Sequence, residues 1–186
     1  MLPGRILIPV GAAILTLFGV LTGTTTSARA TASAPATCES LKALALPDAI
    51  VFTAESVPAG SFAPPAGAPI ANLPAFCRVA GSIRPSADSD IRFEVWMPAA
   101  GWNRKLRGIG NGGFAGSIDF GALGSAVSRG YAAAATDTGH AAAGLIDAAW
   151  ALGHPEKITD FGYRAIHETA VTARALVAAR YGGGPE

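Results

Sequence analysis

The residues whose types and spacing carry the strongest chemical signal are Gly108, Gly110, Gly112, Gly113 and Gly116, five glycines in nine residues directly after a short apolar segment. Glycine permits positive φ and leaves backbone N–H groups uncovered, so such a run lets a negatively charged oxygen approach the main chain. Two ligands fit. One is a pyrophosphate, because residues 108–113 match G-x-G-x-x-G and Asp137 closes the next apolar run, where a ribose-binding acid belongs. The other is the oxyanion of an ester-hydrolysis intermediate. A tight turn with no ligand is the third reading. A dinucleotide site needs a helix that starts on the glycines, whereas residues 117–119 intervene here before helical spacing begins. That places the oxyanion reading ahead. The three classes kept open are an ester hydrolase, an exported nucleotide-linked oxidoreductase and a non-catalytic exported binding module.

Other polar residues are weaker candidates. His140, His154 and His167 lack the i, i+4 pairing or cysteine partner of a metal site, so no metal and no cofactor is expected. His140 follows a strand-like run at the edge where α/β sheets place ligands, and reads as a hydrogen-bonded loop residue; His167 reads as a packing or surface residue. Asp119 and Asp137 read as cap and turn residues.

The elements that must position the glycines follow from periodicity and punctuation. Residues 39–45 suit a short helix and 49–56 a strand. Residues 57–74 hold Pro58, Pro64, Pro65, Pro69 and Pro74, which deny helix and central strand, so this is expected to be a Pro/Gly-rich surface loop. Residues 76–84 and 91–97 read as a hairpin with Ile91, Phe93 and Val95 on one face. A short strand over 105–109 leads into the glycines, a helix over 120–129 ends at Gly130, and 131–136 is an apolar run suited to a buried strand. Tyr163, Ile166, Ala170, Ala173, Val177 and Tyr181 mark the apolar face of a last helix, stopped by Gly182. Hairpin strands followed by strand, helix, strand and helix indicate an α/β sheet.

Composition bounds the rest. The chain has 186 residues, is 50% hydrophobic and 15% charged, and carries a net charge of +1, which leaves no basic footprint for nucleic acid. Arg5, the apolar run 6–20 and the triplet Ala28-Arg29-Ala30 have the order of a secretory signal, so residues 1–30 are expected to be removed and the remainder to be secreted or periplasmic, with no membrane association after cleavage. The run is too short and too interrupted by Pro9, Gly11 and Gly19 to span a bilayer. Residues 31–186 then carry 12 basic and 13 acidic groups. In an oxidising compartment the two cysteines, Cys38 and Cys77, are expected to form a disulfide, the alternatives being partners outside this chain or a free thiol. Nothing in the sequence speaks to oligomeric state.

Three segments in order, residues 108–123 (GIGNGGFAGSIDFGAL), 130–140 (GYAAAATDTGH) and 147–176 (DAAWALGHPEKITDFGYRAIHETAVTARAL), resemble the tannase and feruloyl esterase family of secreted α/β hydrolases. The resemblance implies a serine esterase acting on small-molecule esters of aromatic acids of the galloyl or feruloyl type, with some relatives cleaving the monohydroxyethyl ester of terephthalate. In that family the nucleophile lies in a Gly-Cys-Ser-x-Gly-Gly turn on the strand after the last helix seen here, with Asp and His later still. By that order residues 31–186 are expected to be the N-terminal portion of an α/β-hydrolase sheet that lacks the nucleophile strand and is inactive alone. Ser117, Ser125, Asp137 and His140 match none of the triad positions. Gly112 and Gly113 are the positions that carry over, as backbone donors of the oxyanion hole.

Overall fold

A computed structural model of the chain describes residues 34–114, 116–142 and 144–186. The expected signal segment, 1–30, lies outside the described residues. A five-stranded sheet forms the centre, with strand order β1-β4-β5-β7-β6. Its strands are β1 (Ala49–Val57), β4 (Phe76–Ile83), β5 (Ile91–Pro98), β6 (Leu106–Ile109) and β7 (Ala132–Thr136). A separate ribbon pairs β2 (Gly60–Phe62) with β3 (Ile70–Leu73). This ribbon occupies the stretch read as a surface loop. Prolines lack the N–H that a central strand needs, and the ribbon stays outside the main sheet, with Ile70 and Leu73 packed against Gly124 of the helix α1 (Phe120–Ser128).

The hairpin β4–β5 runs in unbroken register from Phe76 opposite Pro98 to Ile83 opposite Ile91. Its strands are buried on both faces. Ile91, Phe93, Val95 and Met97 enter one core, while Trp96 enters the other with Phe76, Leu123 and Val127. β7 lies between β5 and β6, antiparallel to the first and parallel to the second. Its inner sequence is four consecutive alanines, all buried. Ala132 and Ala134 face the last helix, and Ala133 and Ala135 face α1. With only a methyl group on each side, a helix can lie close on both faces, which is why this strand reads as a continuous run rather than an alternating one.

β6, α1 and β7 form a crossover unit. Asp119 caps α1 by accepting the Ala122 N–H at 2.8 Å, and Gly130 at φ 78° turns the chain into β7. The residues expected to begin with a helix over 39–45 form a 3-10 turn, Glu39–Ala43, held to β4 by the disulfide Cys38–Cys77 with a Cα separation of 5.5 Å.

The last helical segment begins earlier than its periodicity predicts. A short helix α2 (Pro155–Thr159) passes through one π turn (Asp160–Arg164) into α3 (Ala165–Tyr181). Its buried face is Ala165, Thr169, Thr172, Ala173, Leu176 and Val177. Of the face expected from spacing, Ala173 and Val177 are buried, but Tyr163 is 66% and Ile166 48% exposed, and Ala170 is exposed as well. The helix is rotated so that it covers the alanines of β7 with small side chains, which leaves the bulkier apolar positions beside β6 uncovered. Gly182, at φ 74°, ends the helix as expected.

Candidate active site

The glycine segment leaves the C-terminal end of β6, a strand with one neighbour, β7, and none on its outer side among the described residues. Beside that outer edge runs a groove of about 440 Å³, lined by Gly108, Ile109, Gly110 and Thr136 from the sheet and by Ile166 and Ala170 from the helical side. Of the apolar face expected for α3, Ile166 and Ala170 border this groove.

Hydrogen bonds to other parts of the chain fix the segment at both ends. At its start Asn111 donates through Nδ2 to the carbonyls of Ser117 at 2.6 Å and Thr136 at 3.0 Å, tying the segment across to the end of β7. At its far end both polar groups of Phe114 are held. Its N–H donates to the Leu145 carbonyl at 2.7 Å. Its carbonyl accepts from His140 Nε2 at 2.9 Å. Because a carbonyl only accepts, that ring nitrogen carries the hydrogen.

Between the anchors lie Gly112 and Gly113, both exposed. Neither N–H donates a hydrogen bond to another described residue. Gly113 adopts φ 57°, and a Cβ there would collide with the Leu145 carbonyl oxygen, whereas a Cβ on Gly112 would meet nothing within 4 Å. Gly116 is equally confined: a Cβ there would strike the His140 carbonyl. These two glycines are required by close approach of the backbone, and Gly113 also by its positive φ. The arrangement leaves two exposed glycine N–H groups without an acceptor among the described residues, in a loop anchored on both sides; such groups can stabilise developing negative charge on an oxygen they point at.

The dinucleotide alternative finds no support. α1 begins at Phe120, past the glycines, and its N-terminus is already capped by Asp119. Asp137, placed at the strand end as a candidate ribose acid, turns inward: its Oδ1 accepts from the N–H groups of Arg92 at 3.0 Å and Gly139 at 2.8 Å. Burial pushes its carboxyl up to about 6, against the pull of those two amides.

His140 is buried, stacked on Trp150 with ring centroids 3.8 Å apart and met edge-on by Phe161. His154 is half-exposed, at 3.0 Å from Asp88, and His167 is exposed. Among the described residues no group of three His, Cys, Asp or Glu side chains is arranged to hold a metal ion. Ser117 and Ser125 are both exposed. The roles of Asn111 and of the Leu145 carbonyl escaped the sequence reading. Asn111 stands inside the glycine run, but its partners are 6 and 25 residues away, and a main-chain acceptor such as Leu145 has no sequence signature at all.

Taken together, a mixed α/β sheet with an anchored glycine loop after a parallel strand defines the class. The family model described as tannase and feruloyl esterase matches residues 77–186, and the chain belongs to that family. It is 51% identical over 149 residues to an uncharacterized esterase of Xanthomonas campestris pv. campestris, covering 80% of this chain and 26% of the relative. It is 30% identical over 151 residues to a probable feruloyl esterase B-1 of Aspergillus oryzae, covering 76% of this chain and 27% of that protein. Among solved structures, feruloyl esterase B from Aspergillus oryzae superposes with a TM-score of 0.73 at 31% identity, over 80% of this chain and 30% of that one. The tannin acyl hydrolase from Aspergillus niger gives 0.57 at 25% identity, over 78% and 29%. The chain spans about a quarter of the length of the curated relatives it matches.

Proposed function

We propose that the chain supplies the oxyanion-hole side of a serine carboxylic-ester hydrolase acting on esters of aromatic acids of the galloyl or feruloyl type, outside the cytoplasm. The observation that carries this reading is the pair of uncovered amides, Gly112 and Gly113, held between two anchors at the end of β6. As a nucleophile attacks an ester carbonyl, its oxygen gains negative charge. Fixed N–H groups aimed at that oxygen favour the transition state over the ground state without reorganising.

The open edge of β6 supports an α/β-hydrolase sheet. A strand added there, parallel to β6, would bring its own C-terminal end level with the glycine loop and set a nucleophile beside the donors. The nucleophile, acid and base then come from residues other than those described. The relatives' printed names, feruloyl esterase and tannin acyl hydrolase, support the aromatic acyl group. Export is supported by the order of residues 1–30 and by a disulfide that persists only under oxidising conditions.

The test is hydrolysis of methyl ferulate and methyl gallate by the complete gene product, set against an aliphatic methyl ester. Turnover of either aromatic ester in preference to the aliphatic one is expected. No hydrolysis of any ester would refute the reading. N-terminal sequencing of protein collected outside the cytoplasm is expected to begin just after Ala30.

A further inference from the structure

We infer that His140 is the positioning residue of the glycine loop, orienting the Gly112 and Gly113 amides through the carbonyl of Phe114. The inference rests on the esterase reading above, and adds to it a residue with no place in the nucleophile, acid or base.

A backbone donor is useful only if the peptide planes around it are fixed. Gly112 and Gly113 have no side chains to fix them, and neither amide is held by a described hydrogen bond. The plane that follows Gly113 belongs to Phe114. Leu145 takes its N–H at 2.7 Å, and His140 Nε2 donates to its carbonyl at 2.9 Å. The two bonds fix the peptide planes on either side of the Phe114 Cα, and so give the glycine segment a fixed end that narrows the φ and ψ left open to Gly113 and Gly112.

The ring that supplies the second bond is itself immobile. Trp150 lies flat against one face at 3.8 Å, Phe161 meets it at 5.5 Å, and Phe161 also touches Phe114 at 5.7 Å. Trp150 is tied down through Nε1 to the Asp147 carbonyl at 3.0 Å. The turn that carries His140 is held by Asp137, which accepts the Gly139 N–H at 2.8 Å. His140 Nδ1 lies 3.4 Å from Thr138 Oγ1, at the limit of a hydrogen bond. Nothing is left for the ring to do in solution: it is 4% exposed and its donor is spent on a main-chain oxygen. A buried imidazole whose one short bond lands on the residue directly after an open amide pair is built to hold that pair in place.

Two variants separate positioning from packing. His140→Phe keeps an aromatic ring against Trp150 and removes the donor. His140→Gln loses the stack and restores an N–H near the Phe114 carbonyl. In the complete gene product, His140→Phe is expected to lower kcat on methyl ferulate by roughly 10²-fold, the cost of about 1 Å of misplacement, with KM changed less than about twofold, since ground-state binding does not use the oxyanion donors. His140→Gln is expected to recover most of that kcat. Amide hydrogen exchange adds a readout independent of turnover. Protection of the Phe114 N–H is expected to fall about tenfold or more in His140→Phe and to be kept in His140→Gln. Wild-type kcat in His140→Phe, or unchanged Phe114 protection, overturns the assignment, as does a kcat loss that His140→Gln fails to restore. If the wild-type protein hydrolyses no ester, the functional reading falls while the exchange experiment still decides whether His140 orients the loop.

Discussion

The carbonyl oxygen of Leu145 accepts the Phe114 N–H at 2.7 Å and lies where a side chain on Gly113 would have to go. One main-chain atom thus both anchors the loop and forbids any residue but glycine at the position next to the anchor. Gly112, one residue earlier, faces open space. The two candidate donors therefore differ in what they tolerate. Gly113→Ala is expected to shift the loop and cut ester turnover by about 10²-fold or more, the loss typical of one misplaced oxyanion donor. Gly112→Ala keeps its N–H and meets no atom, so its rate is expected to stay within about threefold of wild type. Steady-state kinetics on methyl ferulate with thermal unfolding alongside checks both.

Asp137 gives the fold a pH signature. Its folded-state carboxyl is raised from an ordinary value of 3.8 to about 6, chiefly by burial. Between those two values the folded chain still holds a proton that the unfolded chain has released, so stability falls as pH rises through that window, by roughly 2 to 3 kcal/mol in total. Asp137→Asn keeps an oxygen for the Arg92 and Gly139 N–H groups without the buried charge. Denaturant titrations at pH 4 and pH 8 are expected to show this variant more stable than wild type at pH 8, with the advantage gone at pH 4. An equal difference at both pH values would contradict the account.

Glu94 on β5 and Arg78 on β4 meet diagonally across the hairpin, bound through two N–H donors at 2.6 and 3.0 Å, and Trp96 Nε1 donates to the same carboxylate at 2.9 Å. Glu94 is buried, and burial pushes its carboxyl up against the pull of Arg78. Removing it leaves a shielded guanidinium and an indole N–H without their acceptor. Glu94→Ala is expected to cost about 3 to 5 kcal/mol, whereas Glu55→Ala, which removes the exposed end of the same network, is expected to cost under about 1. Urea unfolding of the two variants measures the contrast.

The Cys38–Cys77 bridge spans 39 positions and pins the 3-10 turn Glu39–Ala43 to β4. By the chain-entropy account its loss is expected to cost about 4 kcal/mol. Comparing unfolding midpoints with and without a thiol reductant, with the Cys38→Ser/Cys77→Ser protein as control, checks the figure.

The edge of β6 and the exposed Ile166 and Ala170 beside it were legible only in part. Three- and four-residue spacing along α3 marks an apolar face, because burial in water follows helical period whatever covers it. Which side of that face meets the sheet depends on β7, whose alanines accept the Ala165–Thr169–Ala173 side rather than the Tyr163–Ile166–Ala170 side. That choice is a matter of fit between two surfaces far apart in the chain.

By itself the sequence determined the strands of the hairpin, the β6–α1–β7 order, the disulfide pair and the glycine segment, since each rests on local backbone preference, on period, or on there being only two cysteines. The tertiary structure decided what makes that segment more than a turn: Asn111 reaching Thr136, Phe114 suspended between Leu145 and His140, and Asp137 turned inward. Those links join residues 25 to 45 positions apart or end on main-chain oxygens. Side-chain type leaves no trace of a carbonyl acceptor, so only the folded path of the chain reveals one.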